Sequence, residues 1–195
     1  MKQYFDEDVE LIDDPKEVIY QDDDFSLKFK TNSGLFSKDE IDLHSIKLVE
    51  SIEDKNYQSI LDFGCGYGFI GVYLAKKYQV PITFIDITSR ACYYTELNVQ
   101  YNGIKNVTII QSDGIQINQK FDLITLNPPI HAGKDKLYEM YQQAYDHLSD
   151  TGSFYIVIHK KHGAKSTVDY LKTLSNKVEV VSKKKTLYII KIEKG

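Results

Sequence analysis

The chain has 195 residues, 42% of them hydrophobic and 27% charged, with a net charge of −4. That length suits one domain with a substantial core, and an acidic total argues against loose, nonspecific binding to nucleic acid. No stretch approaches the roughly 18 uninterrupted apolar residues of a membrane helix, and Cys65 and Cys92 make neither a metal pattern nor a disulfide framework.

The first eight residues, Met1 to Asp8, lack the apolar core of a secretory signal. A cytoplasmic protein with reduced thiols is the expectation. Residues 1–24 carry ten acids against two lysines, whereas from His131 onward twelve lysines face seven acids. The expected organisation is an acidic leader over residues 1–22 and one domain over 23–195. Lys134, Lys136, Lys160, Lys161, Lys165 and Lys183 to Lys185 form a basic stretch compatible with RNA phosphates or with a plain solvated surface.

Residues 24–30 alternate apolar and polar, as a half-buried strand does, and Thr31-Asn32-Ser33-Gly34 is turn chemistry. A helix is predicted from near Ser37, with Lys38-Asp39-Glu40 in its first turn. A βα rhythm follows. Strand-like runs at 59–63, 82–87, 107–111, 121–126 and 154–159 are separated by helical stretches at 69–78, 90–101, 137–148 and 167–174. This spacing predicts an α/β fold, a mostly parallel sheet with helices on both faces. Residues 177–181 and 186–192 predict an antiparallel C-terminal hairpin at or near the sheet edge.

Leu61-Asp62-Phe63-Gly64-Cys65-Gly66-Tyr67-Gly68-Phe69-Ile70-Gly71 ends the first strand of this series and opens a helix. Gly66-x-Gly68-x-x-Gly71 satisfies the dinucleotide fingerprint, which keeps a nicotinamide or flavin enzyme in view. Against it stand the acid just before the glycines and the denser Gly64-x-Gly66-x-Gly68 spacing. That pattern resembles the class I S-adenosylmethionine-dependent methyltransferases. The resemblance implies a Rossmann-like, seven-stranded sheet with an N-terminal strand and helix added. It also implies S-adenosylmethionine as cofactor, with Gly64, Cys65, Gly66 and Gly68 under the methionine moiety and Asp62 helping to hold its ammonium group.

Asp86, followed by Ile87, ends the next strand, where an acid can accept both ribose hydroxyls; NAD-binding proteins share this contact. Asp113, before Gly114, sits where methyltransferases place an acceptor for the adenine amine, and a capping or turn role rivals that reading. Cys65 reads as a small loop residue and not as a nucleophile.

Asn127-Pro128-Pro129-Ile130 follows the run 121–126. Two prolines cannot continue a sheet ladder and each fixes φ, so the chain leaves the sheet in a stiff, nearly predetermined path. Asn127, Pro128 and Pro129 are therefore the candidate catalytic residues, with Asn127 also beside the cofactor. The Asn127 side-chain oxygen and the Pro128 carbonyl could accept the hydrogens of an amine and stabilise charge developing on its nitrogen. No metal is required.

Phe29-x-Thr31-x-x-Gly34-x-Phe36-Ser37, Asp42-x-x-Ser45, Asn127-Pro128-Pro129-Ile130-His131-x-Gly133-Lys134 and Lys160-Lys161-His162-Gly163-Ala164 together resemble the methyltransferase small domain. The similarity runs from about residue 20 to the C-terminus. Its best-known members are guanine-N2 methyltransferases of small-subunit ribosomal RNA of the RsmC type. The resemblance implies ribosomal RNA or the small subunit as partner, and Phe36, Ser37, Ile130, His131 and Lys134 near the target. Longer members carry a second, degenerate domain for which this chain has no room, so substrate presentation differs and a homodimer is one route.

Asn-Pro-Pro enzymes also methylate adenine N6 and glutamine amides, and a noncatalytic cofactor- or RNA-binding module is the reading from another class. Ile130 stands where many relatives place a stacking ring, His44 where Gly is usual and Phe69 where Pro is common. His131 adjoins the catalytic loop in a packing or proton-transfer role. His147, His159 and His162 read as structural or surface residues.

Overall fold

The computed structural model describes residues 16–32 and 40–195. Phe36, Ser37 and the expected helix start at Ser37 lie outside the described residues. Strands β1 (Lys16–Gln21) and β2 (Ser26–Thr31) form an antiparallel pair. Helix α1 (Leu43–Glu50) follows, and then β3 (Ile60–Phe63), α2 (Phe69–Tyr78), β4 (Ile82–Asp86), α3 (Ser89–Tyr101) and β5 (Val107–Gln111). The chain continues through β6 (Phe121–Leu126), α4 (Lys134–Asp146), β7 (Leu148–His159), α5 (Ala164–Leu174), β8 (Val178–Lys184) and β9 (Leu187–Glu193).

The main sheet has seven strands in the order β5-β4-β3-β6-β7-β9-β8. β5 through β7 run parallel, and β9 pairs antiparallel with both β7 and β8. This is the expected architecture, hairpin included. All four residues of β3 are buried, as a strand covered on both faces requires. One core lies under α1, α2, α3 and β2, with Leu48, Val72, Phe84 and Tyr155 in it. The other lies under α4 and α5, around Leu61, Ile124, Tyr141 and Leu171. No helix among the described residues is long and apolar enough to cross a membrane.

Three boundaries differ from expectation. Residues 16–21, counted into the leader, form β1, because Val18 is buried against the domain while the intervening side chains face outward. Helix α1 begins at Leu43 and not near Ser37. Its N-cap is Asp42, whose side chain accepts from Ser45 N, so Glu40 and Ile41 precede the helix. β7 starts at Leu148, earlier than expected, since Leu148 already pairs with Phe121 before an irregularity in the ladder.

Strand β3 lies where the winding direction reverses: β4 and β5 follow on one side, β6 and β7 on the other. The carboxyl ends of β3 and β6 meet at that switch point, where open α/β sheets bind ligands. The glycine loop leaves one and Asn127 leaves the other.

Beside this sheet, β2 rests on α3 through side chains. Asn98 accepts from Lys30 N–H (2.7 Å) and donates to Lys30 C=O (2.9 Å), and also donates to Tyr67 C=O (2.8 Å). One turn later Asn102 repeats the exchange with Lys28 N–H (3.0 Å) and C=O (2.8 Å). Asn98 is fully buried, and it ties the glycine loop to the strand.

Candidate active site

The glycine loop begins with Gly64 N and Cys65 N both donating to Ile85 C=O, at 2.7 and 3.1 Å. Gly66 N–H donates to Asp86 Oδ2 at 2.9 Å. At φ +57 with open space where a Cβ would stand, Gly66 combines a left-handed backbone with room for a ligand. Asp86 Oδ1 accepts from Thr88 N–H (3.0 Å) and Oγ–H (3.1 Å). Burial raises the Asp86 pKa against these bonds. A carboxylate offers about four acceptor sites. Three are taken, so the free capacity for a ribose hydroxyl is on Oδ2.

A cavity of about 560 Å³ opens above these strand ends, within the usual range for small-molecule sites. Gly64, Cys65, Gly66, Asp86, Ile87 and Asp113 line one part of it, and Asn127, Pro128, Pro129 and His131 another. The turn after β5 is closed by Ser112, whose hydroxyl donates to Gly114 C=O at 2.7 Å. That role is not filled by Asp113, whose carboxylate has no partner among the described residues and is exposed at the cavity.

Four expected contacts are not at the wall. Asp62 is fully buried and does not line the cavity. It accepts from Gly71 N–H at 2.8 Å and from Thr125 Oγ–H at 3.3 Å, and burial raises its pKa to about 7. Its face of β3 points at α2, so it anchors the first turn of that helix and positions the glycine loop from behind. Gly68 packs on Thr95, and Gly114 faces the Gln143 side chain. Lys134 places its ammonium over the Tyr138 ring at 5.1 Å, and Lys136 lines the cavity instead. For Ile130 only the backbone, a 3₁₀ turn over Ile130–Ala132, is described. Cys65 lines the wall as a thiol: burial pushes its pKa well up, and its sulfur lies 3.4 Å from Thr95 Oγ1.

The Asn127 amide is held with its oxygen and nitrogen distinguished. Nδ2 donates to Asp42 Oδ2 at 2.8 Å and to Ser45 Oγ at 3.0 Å. An ionised carboxylate only accepts, so the nitrogen must face Asp42, and Oδ1 turns the other way. No described residue donates to Oδ1 or to the Pro128 carbonyl. The same Asp42 oxygen caps α1 through Ser45 N at 2.9 Å. Sequence reading placed Asp42 and Ser45 in a family pattern without a task. Their task is to orient an amide 85 residues away.

Three histidines also missed by spacing, His44, His159 and His162, line the cavity near Asn127. His159 and His162 were expected to be structural or surface residues; the end of β7 carries His159 to the cavity wall, and the 3₁₀ turn over Lys160–His162 carries His162 there. Partial burial, with Lys161 and the other histidines adding to it, lowers the His162 pKa.

The profile of the methyltransferase small domain family matches residues 26–191. The chain belongs to that family, and with it to the S-adenosylmethionine-dependent methyltransferases. It is 43% identical over 171 residues to YbxB of Bacillus subtilis (strain 168), an uncharacterized protein, covering 85% of each chain. It is 32% identical over 132 residues to ribosomal RNA small subunit methyltransferase C of Psychromonas ingrahamii, covering 65% of this chain and 38% of that one. Among solved structures, the T. thermophilus 16S rRNA N2 G1207 methyltransferase (RsmC), in complex with AdoMet and guanosine, superposes with a TM-score of 0.82. That match has 19% identity and covers 93% of this chain and 51% of the other, a likeness of fold. The chain therefore spans about two fifths of the length of its methyltransferase C relative and about half of the solved one.

Proposed function

We propose that the protein transfers a methyl group from S-adenosylmethionine to the N2 amine of a guanine in small-subunit ribosomal RNA. One observation carries the chemistry: an amide oxygen without a donor among the described residues, fixed in orientation by Asp42, next to a carbonyl on a double-proline exit. The name of the sequence relative supports small-subunit ribosomal RNA as substrate, and that of the solved relative supports guanine N2 over adenine or glutamine.

The donor set fits the cofactor. The Gly64–Gly66 backbone leaves room against the methionine end, the free capacity on Asp86 Oδ2 suits a ribose hydroxyl, and the Asp113 carboxylate suits the adenine amine. When bound, S-adenosylmethionine supplies an electrophilic methyl group. Asp62 acts at one remove, through Gly71. At the other part of the cavity, Asn127 Oδ1 and the Pro128 carbonyl accept the two hydrogens of the target amine. Its lone pair, delocalised into the ring in free guanine, would thereby be turned out of conjugation and made available for attack. The same two dipoles are already oriented for the positive charge that develops on nitrogen, so little reorganisation accompanies the reaction. Cys65, kept as a thiol, takes no covalent part. Lys136 and the exposed Lys160 and Lys161 are suited to RNA phosphates.

The test is incubation with labelled S-adenosylmethionine and undermodified small ribosomal subunits, followed by nucleoside mass spectrometry. N2-methylguanosine is expected, and Asn127→Ala should abolish it while cofactor affinity stays within a few-fold. Label found only in adenine or in glutamine side chains would refute the substrate assignment.

A further inference from the structure

The position directly after Asn-Pro-Pro is isoleucine and carries no ring, yet histidine rings line the cavity. His44 comes from the first turn of α1, two residues after Asp42, and His159 from the carboxyl end of β7. Their ring centroids lie 6.4 Å apart and their planes are tilted by 32°. Both line the cavity beside Asn127. His159 is not a free rotor, since its Nδ1 accepts from Lys161 N–H at 3.3 Å. His162 backs it, with ring centroids 5.5 Å apart.

A flat ring between two others needs about 7 Å, twice the ~3.5 Å contact distance of carbon atoms. The His44–His159 spacing is about 0.6 Å short of that, so the two rings must part by that much and level their tilt to admit a base. RNA-binding proteins stack splayed bases on aromatic side chains, histidine among them. We propose that His44 and His159 are the stacking residues for the target base, gripping the purine from both faces while Asn127 and Pro128 hold its amine. This rests on reading the cavity beside Asn127 as the target-base site. It assigns preference for a planar heterocycle to two residues from separate elements, and it disfavours a glutamine side chain, whose amide plane is small beside a purine.

The probe is 2-aminopurine riboside, which carries its amine at the ring position of guanine N2 and loses fluorescence when stacked. It is titrated into the full chain with S-adenosylhomocysteine present. Wild-type protein should quench it. His44→Ala and His159→Ala should each weaken binding by about 5- to 150-fold, the range that loss of one base–aromatic stack gives. His44→Phe and His159→Phe should retain quenching and affinity within a few-fold, whereas Gln at either position should behave as Ala does. Calorimetry with S-adenosylhomocysteine, unchanged in all variants, verifies that each is folded. No quenching by wild type, wild-type affinity in both Ala variants, or rescue by Gln as good as by Phe would overturn the inference. Quenching as expected without N2-methylguanosine on ribosomal subunits would instead remove the substrate reading and leave the stacking pair standing. N2-methylguanosine with indifferent histidines does the reverse.

Discussion

Removing the Asp42 carboxylate should loosen the Asn127 amide while leaving the cofactor end of the cavity intact. In Asp42→Ala one oxygen disappears that accepts from Asn127 Nδ2 at 2.8 Å, Ser45 N at 2.9 Å and Ser45 Oγ at 3.1 Å. The lost cap costs about 1 kcal/mol. The charge-assisted bond to the amide contributes roughly 1.5–3 kcal/mol, part of which returns because half-buried Asn127 can be hydrated. A net loss of about 2 kcal/mol lowers Tm by about 4–8 °C for a domain of this size.

Orientation is a separate effect. In the wild type a flipped amide would turn its oxygen onto a carboxylate, and a gap of about 2 kcal/mol already biases the two orientations about thirtyfold. Without Asp42 they approach parity, which halves the productive population, and a displacement of the acceptor by about 1 Å costs on the order of 100-fold more. Single-turnover methyl transfer should therefore fall between about 2-fold and 200-fold. Asp42→Asn, which keeps an acceptor and a cap, should lose less than Ala does. Calorimetry should show cofactor affinity within about threefold of wild type. A wild-type turnover rate, or cofactor affinity lost in proportion to the rate, would refute the argument.

Asp62, with a folded pKa of about 7 against an unfolded value near 3.9, binds its proton more tightly in the folded state. Wild-type stability should therefore fall as pH rises from about 4 to 7, by up to roughly 1.4 kcal/mol per unit from this group. Asp62→Asn, which can still accept from Gly71 N–H, should flatten that part of the urea-denaturation profile; an unchanged slope counts against a raised pKa. Gly71→Ala would drive a methyl into the ring of fully buried Phe84, whose Cδ1 would lie at 2.9 Å. Overpacking of about 3 kcal/mol less about 1 kcal/mol of helix propensity predicts a Tm lower by about 4–8 °C. Gly66→Ala meets no atom within 4 Å and should lower Tm less while weakening S-adenosylhomocysteine binding in calorimetry by at least tenfold; the opposite ranking would reverse their assigned roles. Asn98→Ala strips Lys30 and Tyr67 of partners and should cost about 3 kcal/mol or more, with amide exchange at Lys30 accelerated; unaltered exchange there would refute the reading that Asn98 protects that amide.

The main sheet was legible because its central strands are buried on both faces and read as short apolar runs between helical stretches. Cavity-lining residues at strand ends were legible for the same reason: Asp86, Asp113 and Asn127 each stand at or just after the end of such a run. Asp62 was harder, because adjacent strand residues face opposite ways. Phe63 lines the cavity and Asp62 does not, and only the packed helix decides which acid meets a ligand. β1 escaped notice because its acidic surroundings resemble a solvated leader and Val18 is its one buried side chain. The start of α1 was misplaced because Lys38-Asp39-Glu40 reads as an acidic first turn, while the actual cap, Asp42, is an equally ordinary residue. Of the histidines on the α1 and β7 side, His44 stood out only as a departure from the family pattern; its approach to His159 depends on where α1 packs against β7, which no local spacing encodes.

The paired asparagines of α3 have a consequence for the protein's behaviour in a crowded cell. Four helical residues advance 6 Å and two strand residues about 6.8 Å, so amides one turn apart on a helix match the repeat of alternate peptide groups along a strand. Asn98 and Asn102 use that match to occupy the edge of β2 with donors and acceptors in the order a third strand would present. An edge left open is a template for pairing with another chain. Here a helix surface ends the two-stranded sheet, and intermolecular strand addition at β2 would first have to break four hydrogen bonds within the same molecule.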